Sequence, residues 1–213
     1  MSASDLRRRS PGQLKVLRMA KKTPRKKRKP NTLDAISGTD AMEVLRILAN
    51  RDAELSKEID AIAKDLLADV SLDEVADCVQ AELESLAVED VWDRSGARRD
   101  GYVDPGETAW QMFEAALEPF REDMLKYQQL SMLEQAEAVC LGILKGVYDF
   151  QWYSKTEFKD WAVDAPAEYF WTYLGTWKED FKQRSSSARI KQFLTQHCLK
   201  WAERAMRTVR SRK

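Results

Sequence analysis

The residues best suited to catalysis are few and far apart. The chain has one histidine, His197, beside Cys198, and two further cysteines, Cys78 and Cys140. A cysteine nucleophile needs a base within hydrogen-bond reach, but neighbouring positions on a helix point about 100° apart. A structural zinc site takes Cys and His ligands in closely spaced pairs, and the sequence has no C-x-x-C. We therefore predict neither nucleophilic catalysis nor a zinc centre.

Four acidic side chains gather around Gly96 and Gly101, namely Asp93, Asp100, Asp104 and Glu107. Carboxylate oxygens suit calcium, but this spacing is not that of an EF-hand loop, and helix capping accounts for the last two. The usual glycine-rich phosphate-binding patterns are also missing from the sequence. The sequence thus predicts a non-enzymatic protein with no metal and no cofactor.

Positive charge is concentrated at both ends. Residues 1–30 carry 12 Lys and Arg against one acid (net +11), residues 31–181 carry 13 against 33 (net −20), and residues 182–213 carry 10 against one (net +9). Such ends can neutralise phosphates, bind back onto the acidic middle, or simply aid solubility. The candidate nucleic-acid-binding residues are Lys21, Lys22, Arg25, Lys26, Lys27, Arg28 and Lys29 in the tail, with Lys191, Arg204 and Arg207 in the last helix.

Aromatic residues are concentrated between positions 148 and 181, which hold 12 of the 20 in the chain. Most of them fall in phase on helical faces and are predicted to form core. Four do not fit a single stripe: Trp152, Tyr153, Tyr169 and Trp171. We interpret these four as a candidate partner-binding patch.

The segment 89–104 is too long and too specific for a plain connector. Trp92 and Tyr102 are predicted to pin it to the core, and Arg94, Arg98 and Arg99 are placed to meet an anion. These five residues form a second candidate partner-binding group, with a purely structural loop as the alternative.

The elements that must position these residues are helices. The clearest start is Asp104-Pro105-Gly106-Glu107, with an N-cap, a proline at the first helical position and a capping-box acid. An apolar stripe follows at steps of three and four and keeps its phase past Pro119, so we expect a kinked helix there rather than a new element. The stripe is Trp110, Phe113, Leu117, Phe120, Met124 and Tyr127.

Further capping pairs predict the starts of other helices: Asp40 with Glu43, Ser71 with Glu74, Ser131 with Glu134, and Ser154 with Glu157. Gly142 and Gly146 lie four apart and are expected to let a neighbouring helix approach closely. The last helix follows Ser185–Ser187 as one element with its apolar face running from Ile190 to Val209.

The predicted fold is all-α, with about eight helices in antiparallel pairs as a short solenoid or irregular bundle. Residues 1–32 are expected to form a disordered basic tail, and residues 33–213 a single helical domain in which 89–104 joins candidate sub-units 40–88 and 105–213. No strand is predicted. The odd count of three scattered cysteines favours a reducing, cytoplasmic setting, and no apolar run is long enough to span a membrane.

Three motifs resemble a set of uncharacterised bacterial helical proteins: Trp92-Asp-Arg-Ser-Gly96, Gly101-Tyr-Val-Asp-Pro105 and Cys140-Leu-Gly-Ile-Leu-Lys-Gly-Val-Tyr148. The resemblance covers about residues 40–150 and implies a helical-repeat fold, with no activity that carries across. The sequence therefore predicts a helical scaffold for protein–protein interaction, with nucleic-acid association through the basic ends as the alternative.

Overall fold

A computed structural model of the chain describes residues 32–99, 101–181 and 187–210. These residues are almost entirely helical apart from one two-stranded ribbon, which confirms the all-α prediction. They fall into two compact units that divide between Asp69 and Val70, whereas the sequence suggested residues 89–104 as the joint. Residues 1–31, which include the seven tail cations of the candidate nucleic-acid-binding set, lie outside the described residues.

The first unit is a helical hairpin. A short helix, α1 (Thr32–Ala35), precedes α2 (Gly38–Arg51) and α3 (Ala53–Leu67), which contact each other. Ser37 begins α2, because its hydroxyl accepts from the Asp40 backbone N–H at 3.1 Å while the Asp40 carboxylate accepts from the Ser37 N–H. The predicted capping pair of Asp40 and Glu43 was therefore wrong: the pair is Ser37 and Asp40, and the N-cap of α2 lies three residues earlier than predicted. Asp52 ends α2 and caps α3.

The second unit holds the remaining elements, and it starts with α4 (Leu72–Glu84) and α5 (Val88–Arg94). A ribbon follows, β1 (Gly96–Arg98) and β2 (Gly101–Val103), and then two long helices, α6 (Pro105–Gln129) and α7 (Leu133–Tyr153). A 3₁₀ turn (Glu157–Asp160) precedes α8 (Ala165–Asp180), α9 (Ser187–His197) and α10 (Leu199–Arg210).

The predicted loop 89–104 is mostly regular structure, since it contains most of α5 and the whole ribbon. The strands pair antiparallel with Gly96 opposite Val103, and Gly96 and Gly101 have φ of 88° and 137°. Glycine is favoured at both positions because other residues rarely adopt such angles. The expectation of no strand was wrong here because three-residue strands are too short to show an alternating pattern.

The two central helices start in different ways. The Asp104 carboxylate accepts from the Glu107 N–H at 3.0 Å, which confirms it as the N-cap of α6, and α6 runs without a break past Pro119. For α7, Ser131 was predicted as the cap. The structure places Met132 there with no side-chain cap, and Ser131 has φ of 57°. A residue in the left-handed region turns the chain instead of capping a helix.

Helix α7 lies at the centre of the core and contacts α4, α6 and α8. Its two glycines give α4 close access: a Cβ added at Gly142 would lie 2.6 Å from the Val75 Cβ, and one at Gly146 would lie 2.6 Å from the Val79 Cβ. The prediction of close helix approach at these glycines is confirmed.

The predicted last helix is two helices, α9 and α10, with Cys198 between them. The Lys200 backbone N–H donates to the Tyr148 hydroxyl at 3.1 Å rather than to a carbonyl one turn back. A side chain inserted into the ladder of helical hydrogen bonds breaks a helix. The sequence pattern did not show this break because its cause lies in α7, 52 positions away.

Candidate interaction surface

Three tryptophans meet where the end of α7 lies beside α8 and α10. The Trp201 ring centroid lies 5.9 Å from that of Trp152 and 6.0 Å from that of Trp171. Trp201 also packs on Phe170 at 4.6 Å, which places its inner side against the core. Trp201 therefore joins two of the predicted patch residues, a role that its place on the apolar face of the last helix did not reveal.

Two cations lie over the outer tryptophans. The Lys200 Nζ lies 3.9 Å from the Trp152 ring centroid, and the Arg204 Cζ lies 4.5 Å from the Trp171 centroid. Both are cation–π contacts. Lys200 and Arg204 are exposed, and among the described residues neither has a carboxylate within salt-bridge distance. We call these five residues (Trp152, Trp171, Trp201, Lys200 and Arg204) the aromatic–basic surface.

Tyr148 builds this surface from below. Its ring is buried and contacts the rings of Trp152, Tyr153 and Trp201, while its hydroxyl accepts from the backbone of Lys200. Burial raises the pKa of Tyr148, and the hydrogen bond from Lys200 partly opposes that rise. The phenol is therefore neutral at physiological pH and holds the start of α10 against the end of α7.

The rim of the surface is apolar. Tyr153 is 63% exposed, Leu199 next to Lys200 is 70% exposed, and Trp152 is 36% exposed. Large exposed apolar groups, and tryptophan and arginine together, are typical of a binding surface. The arrangement suits a ligand that carries both apolar groups and negative charge.

Tyr169, the fourth member of the predicted patch, lies in a different place. Its ring packs against Trp110 at 5.9 Å and Phe113 at 5.5 Å, beside a groove of about 490 Å³ between α6 and α8. Burial and the neighbouring Glu114 raise the pKa of Tyr169 to about 12. Tyr169 therefore belongs to the packing of α6 on α8 and not to the aromatic–basic surface.

The five residues of the segment 89–104 form a separate group. Trp92 packs edge-on against Trp161 at 4.6 Å and is still 54% exposed. Tyr102 is 71% exposed and does not anchor the segment to the core. Arg98 donates to the Asp93 carbonyl oxygen, and Arg94 and Arg99 are exposed. The prediction that Tyr102 anchors this segment to the core was wrong, because the β-ribbon holds it outward.

The basic candidates of the last helices are only partly gathered. Arg204 belongs to the aromatic–basic surface, Arg207 pairs with Glu203 at 3.3 Å along α10, and Lys191 is exposed on α9. Lys200, which the sequence places on the basic outer face of the last helix, was not included among the candidate nucleic-acid-binding residues. Its spacing of four from Arg204, on the outer face of the same helix, is the signal that could have found it.

The cysteines and the histidine are the remaining candidates for catalysis. Cys140 and Cys198 are buried, and burial raises the pKa of both thiols well above the usual range. The ring of His197 contacts Phe193. Within the described ranges, no group of three or more His, Cys, Asp or Glu side chains is placed to hold a metal ion, and Asp100 lies outside those ranges.

Comparison with known protein families, with curated proteins and with solved structures finds no match. No helix in the described part of the chain is long and apolar enough to cross a membrane. The aromatic–basic surface itself is therefore the basis for assigning a function.

Proposed function

We propose that the protein is a non-enzymatic helical scaffold that binds another protein through the aromatic–basic surface. Its partner is an acidic segment that also carries aromatic or aliphatic side chains. The supporting observation is that Trp201 contacts both Trp152 and Trp171, and that Lys200 and Arg204 lie over those two outer rings. Both cations are exposed, and among the described residues neither is within salt-bridge distance of a carboxylate.

The residue types of the aromatic–basic surface are those of interface hot spots, which are enriched in Trp and Arg. Partner side chains would pack on the exposed rim, and partner carboxylates would accept from Lys200 and Arg204. Arginine can stack on a ring and present its planar fork of N–H groups to a carboxylate at the same time. Because the charges are solvent-accessible, salt should weaken the complex.

Nucleic-acid binding is the second candidate function, and the same surface favours it. Bases stack on aromatic side chains while cations neutralise the backbone, a combination typical of single-strand binding. Lys191 and the basic side of α10 would extend such a footprint. The two functions differ in what packs on the tryptophan rings: side chains of a partner protein in the first, and bases of a nucleic acid in the second.

Binding of labelled polymers to the full chain separates these functions. The probes are a fluorescein-labelled random Glu–Tyr copolymer, poly-Glu of the same length, and oligo-dT of similar charge, each followed by fluorescence anisotropy. The proposal predicts that the copolymer binds more tightly than poly-Glu and than oligo-dT. Tightest binding of oligo-dT would favour the nucleic-acid function instead.

The charge-reversal variant Lys200→Glu/Arg204→Glu separates this surface from the basic tail, since it keeps the tail intact. We expect at least about a tenfold loss of copolymer affinity, because two attractive contacts become repulsive. The matched control is Arg51→Glu/Lys126→Glu, which makes the same charge change on exposed residues outside every candidate site. Equal losses in both variants would show general charge attraction and contradict the proposal.

A further inference from the structure

The hairpin of α2 and α3 has an apolar face that its own fold leaves open. Neither helix has a single buried residue. Seven large aliphatic side chains on the hairpin are between 36% and 68% exposed: Met42, Val44, Leu45, Ile47, Leu48, Ile62 and Leu66. In the second unit, by contrast, every helix from α4 to α8 has buried residues. The hairpin thus carries more apolar surface than one helix–helix contact can cover.

The pattern on α2 shows how wide this face is. Its apolar side chains, with Ala41 and Ala49, cover roughly 220° of the helix circumference at 100° per residue. A surface helix with one apolar neighbour usually needs only about a 100° stripe. Glu43 and Arg46 occupy the remaining arc and pair with each other at 3.6 Å. Helix α2 therefore has apolar surface for another neighbour besides α3.

Size strengthens this point. The hairpin of α2 and α3 spans residues 38–67, and chains of fewer than about 40 residues rarely bury enough apolar surface to be stable alone. A hairpin with no buried side chain is therefore expected to fold firmly only when its open face is covered.

We propose that a second copy of this chain covers that face, and that the two hairpins form a four-helix bundle around a two-fold axis. Helices α2 and α3 have 14 and 15 residues, so two hairpins match in length when they face each other. A four-helix bundle is the usual way in which helical hairpins bury a shared apolar stripe, and a two-fold interface brings identical patches together.

The area available is sufficient for a dimer. At the exposures given above, the seven aliphatic residues leave roughly 600 Å² accessible per copy. Complete burial of these residues in both copies would cover on the order of 1,200 Å², the lower end of the range for specific interfaces.

Charge gives the dimer a recognisable salt response. Residues 38–67 carry seven acids against four bases, a net charge of −3, so two hairpins repel each other weakly. Three ion pairs along each hairpin, Glu43–Arg46, Glu54–Lys57 and Asp60–Lys64, keep much of this charge paired within the copy. Salt screens the residual repulsion, so the dimer should hold or tighten as salt is raised, the opposite of the response expected of the aromatic–basic surface.

Sedimentation equilibrium of the full chain tests the proposal between about 1 and 200 μM. We expect a mass of twice the 24.6 kDa chain at the upper concentrations. The variant Ile62→Glu/Leu66→Glu should weaken dimerisation at least about tenfold, because it puts four charges per dimer into an apolar interface. The control Val163→Glu changes a residue that is 63% exposed in the second unit and should leave the dimer unchanged.

A second measurement keeps the test decisive. All seven tryptophans lie in the second unit, so an unchanged tryptophan emission spectrum shows that a hairpin variant has not unfolded that unit. Hydrogen exchange of the native chain gives an independent result, since amides of residues 38–67 should exchange more slowly as the protein concentration rises. A native chain that is monomeric throughout, a dimer that survives the double variant, or concentration-independent exchange would each overturn the proposal.

Discussion

At the scale of single residues, Glu137 is the charged side chain that the described core encloses. It is 5% exposed on α7, accepts a hydrogen bond from the Trp177 Nε1 at 2.8 Å, and pairs with Arg189 at 3.3 Å. One carboxylate therefore ties α7 to α8 and α9. Sequence reasoning missed Glu137 because an acid next to an apolar stripe looks the same as one that faces water.

Replacing Glu137 tests this tie. Glu137→Ala leaves the Trp177 N–H without its acceptor, and we expect the free energy of unfolding to fall by about 2–3 kcal/mol. Urea denaturation followed by tryptophan fluorescence measures the change. Glu134→Ala, an exposed position on the same helix, should change stability by less than about 0.5 kcal/mol. Equal effects at the two positions would contradict the role given to Glu137.

The three cysteines should differ in reactivity. Cys78 is exposed, whereas Cys140 and Cys198 are buried with pKa values raised by burial, so only Cys78 should react quickly with a thiol reagent at pH 8. The Cys78→Ser variant should lose the fast phase.

Burial also makes stability depend on pH, because the pKa values of the Cys140 and Cys198 thiols are higher in the folded chain than in the unfolded chain. The contribution of these two thiols to the free energy of unfolding is therefore present at neutral pH and falls as pH rises above about 8.5. Fast labelling of all three native thiols would disprove this burial.

At the scale of elements, the close packing of α4 on α7 depends on glycine. A Cβ at Gly146 would lie 2.7 Å from the Ala76 carbonyl oxygen, so Gly146→Ala should lower the free energy of unfolding by about 1–3 kcal/mol. Gly175 on α8 has nothing within 4 Å of such a Cβ, so Gly175→Ala should raise stability by up to about 1 kcal/mol. Thermal unfolding measures the direction of the stability change in each variant. A Gly146→Ala variant more stable than the native chain would contradict this close packing.

How far an element can be predicted depends on how local its cause is. The start of α6 was predictable because Asp104, Pro105 and Glu107 stand together in the sequence, and the phase of the apolar stripe correctly carried α6 past Pro119. The break between α9 and α10 was not predictable, since the Tyr148 hydroxyl that takes the Lys200 N–H comes from another helix. The β-ribbon was too short to leave a pattern.

At the scale of the whole molecule, the helical class followed from periodicity, but the candidate site did not. The predicted partner-binding residues separate into three places: the aromatic–basic surface with Tyr153, the groove beside Tyr169, and the segment around Trp92. Which side chains meet depends on how α7, α8 and α10 pack, and no single stretch of sequence contains that information.

The most direct test of the interaction surface is the affinity of the full chain for the labelled Glu–Tyr copolymer after loss of its rings. Trp152→Ala/Trp171→Ala should weaken binding at least about tenfold, since two interface tryptophans commonly contribute that much. Trp92→Ala is the control, because Trp92 is more exposed than Trp152 but lies outside the aromatic–basic surface.

We expect a large loss of affinity in the double variant and little change in the control, with helicity by circular dichroism unchanged in both. Unaltered copolymer affinity in Trp152→Ala/Trp171→Ala would show that the aromatic–basic surface is not the binding site.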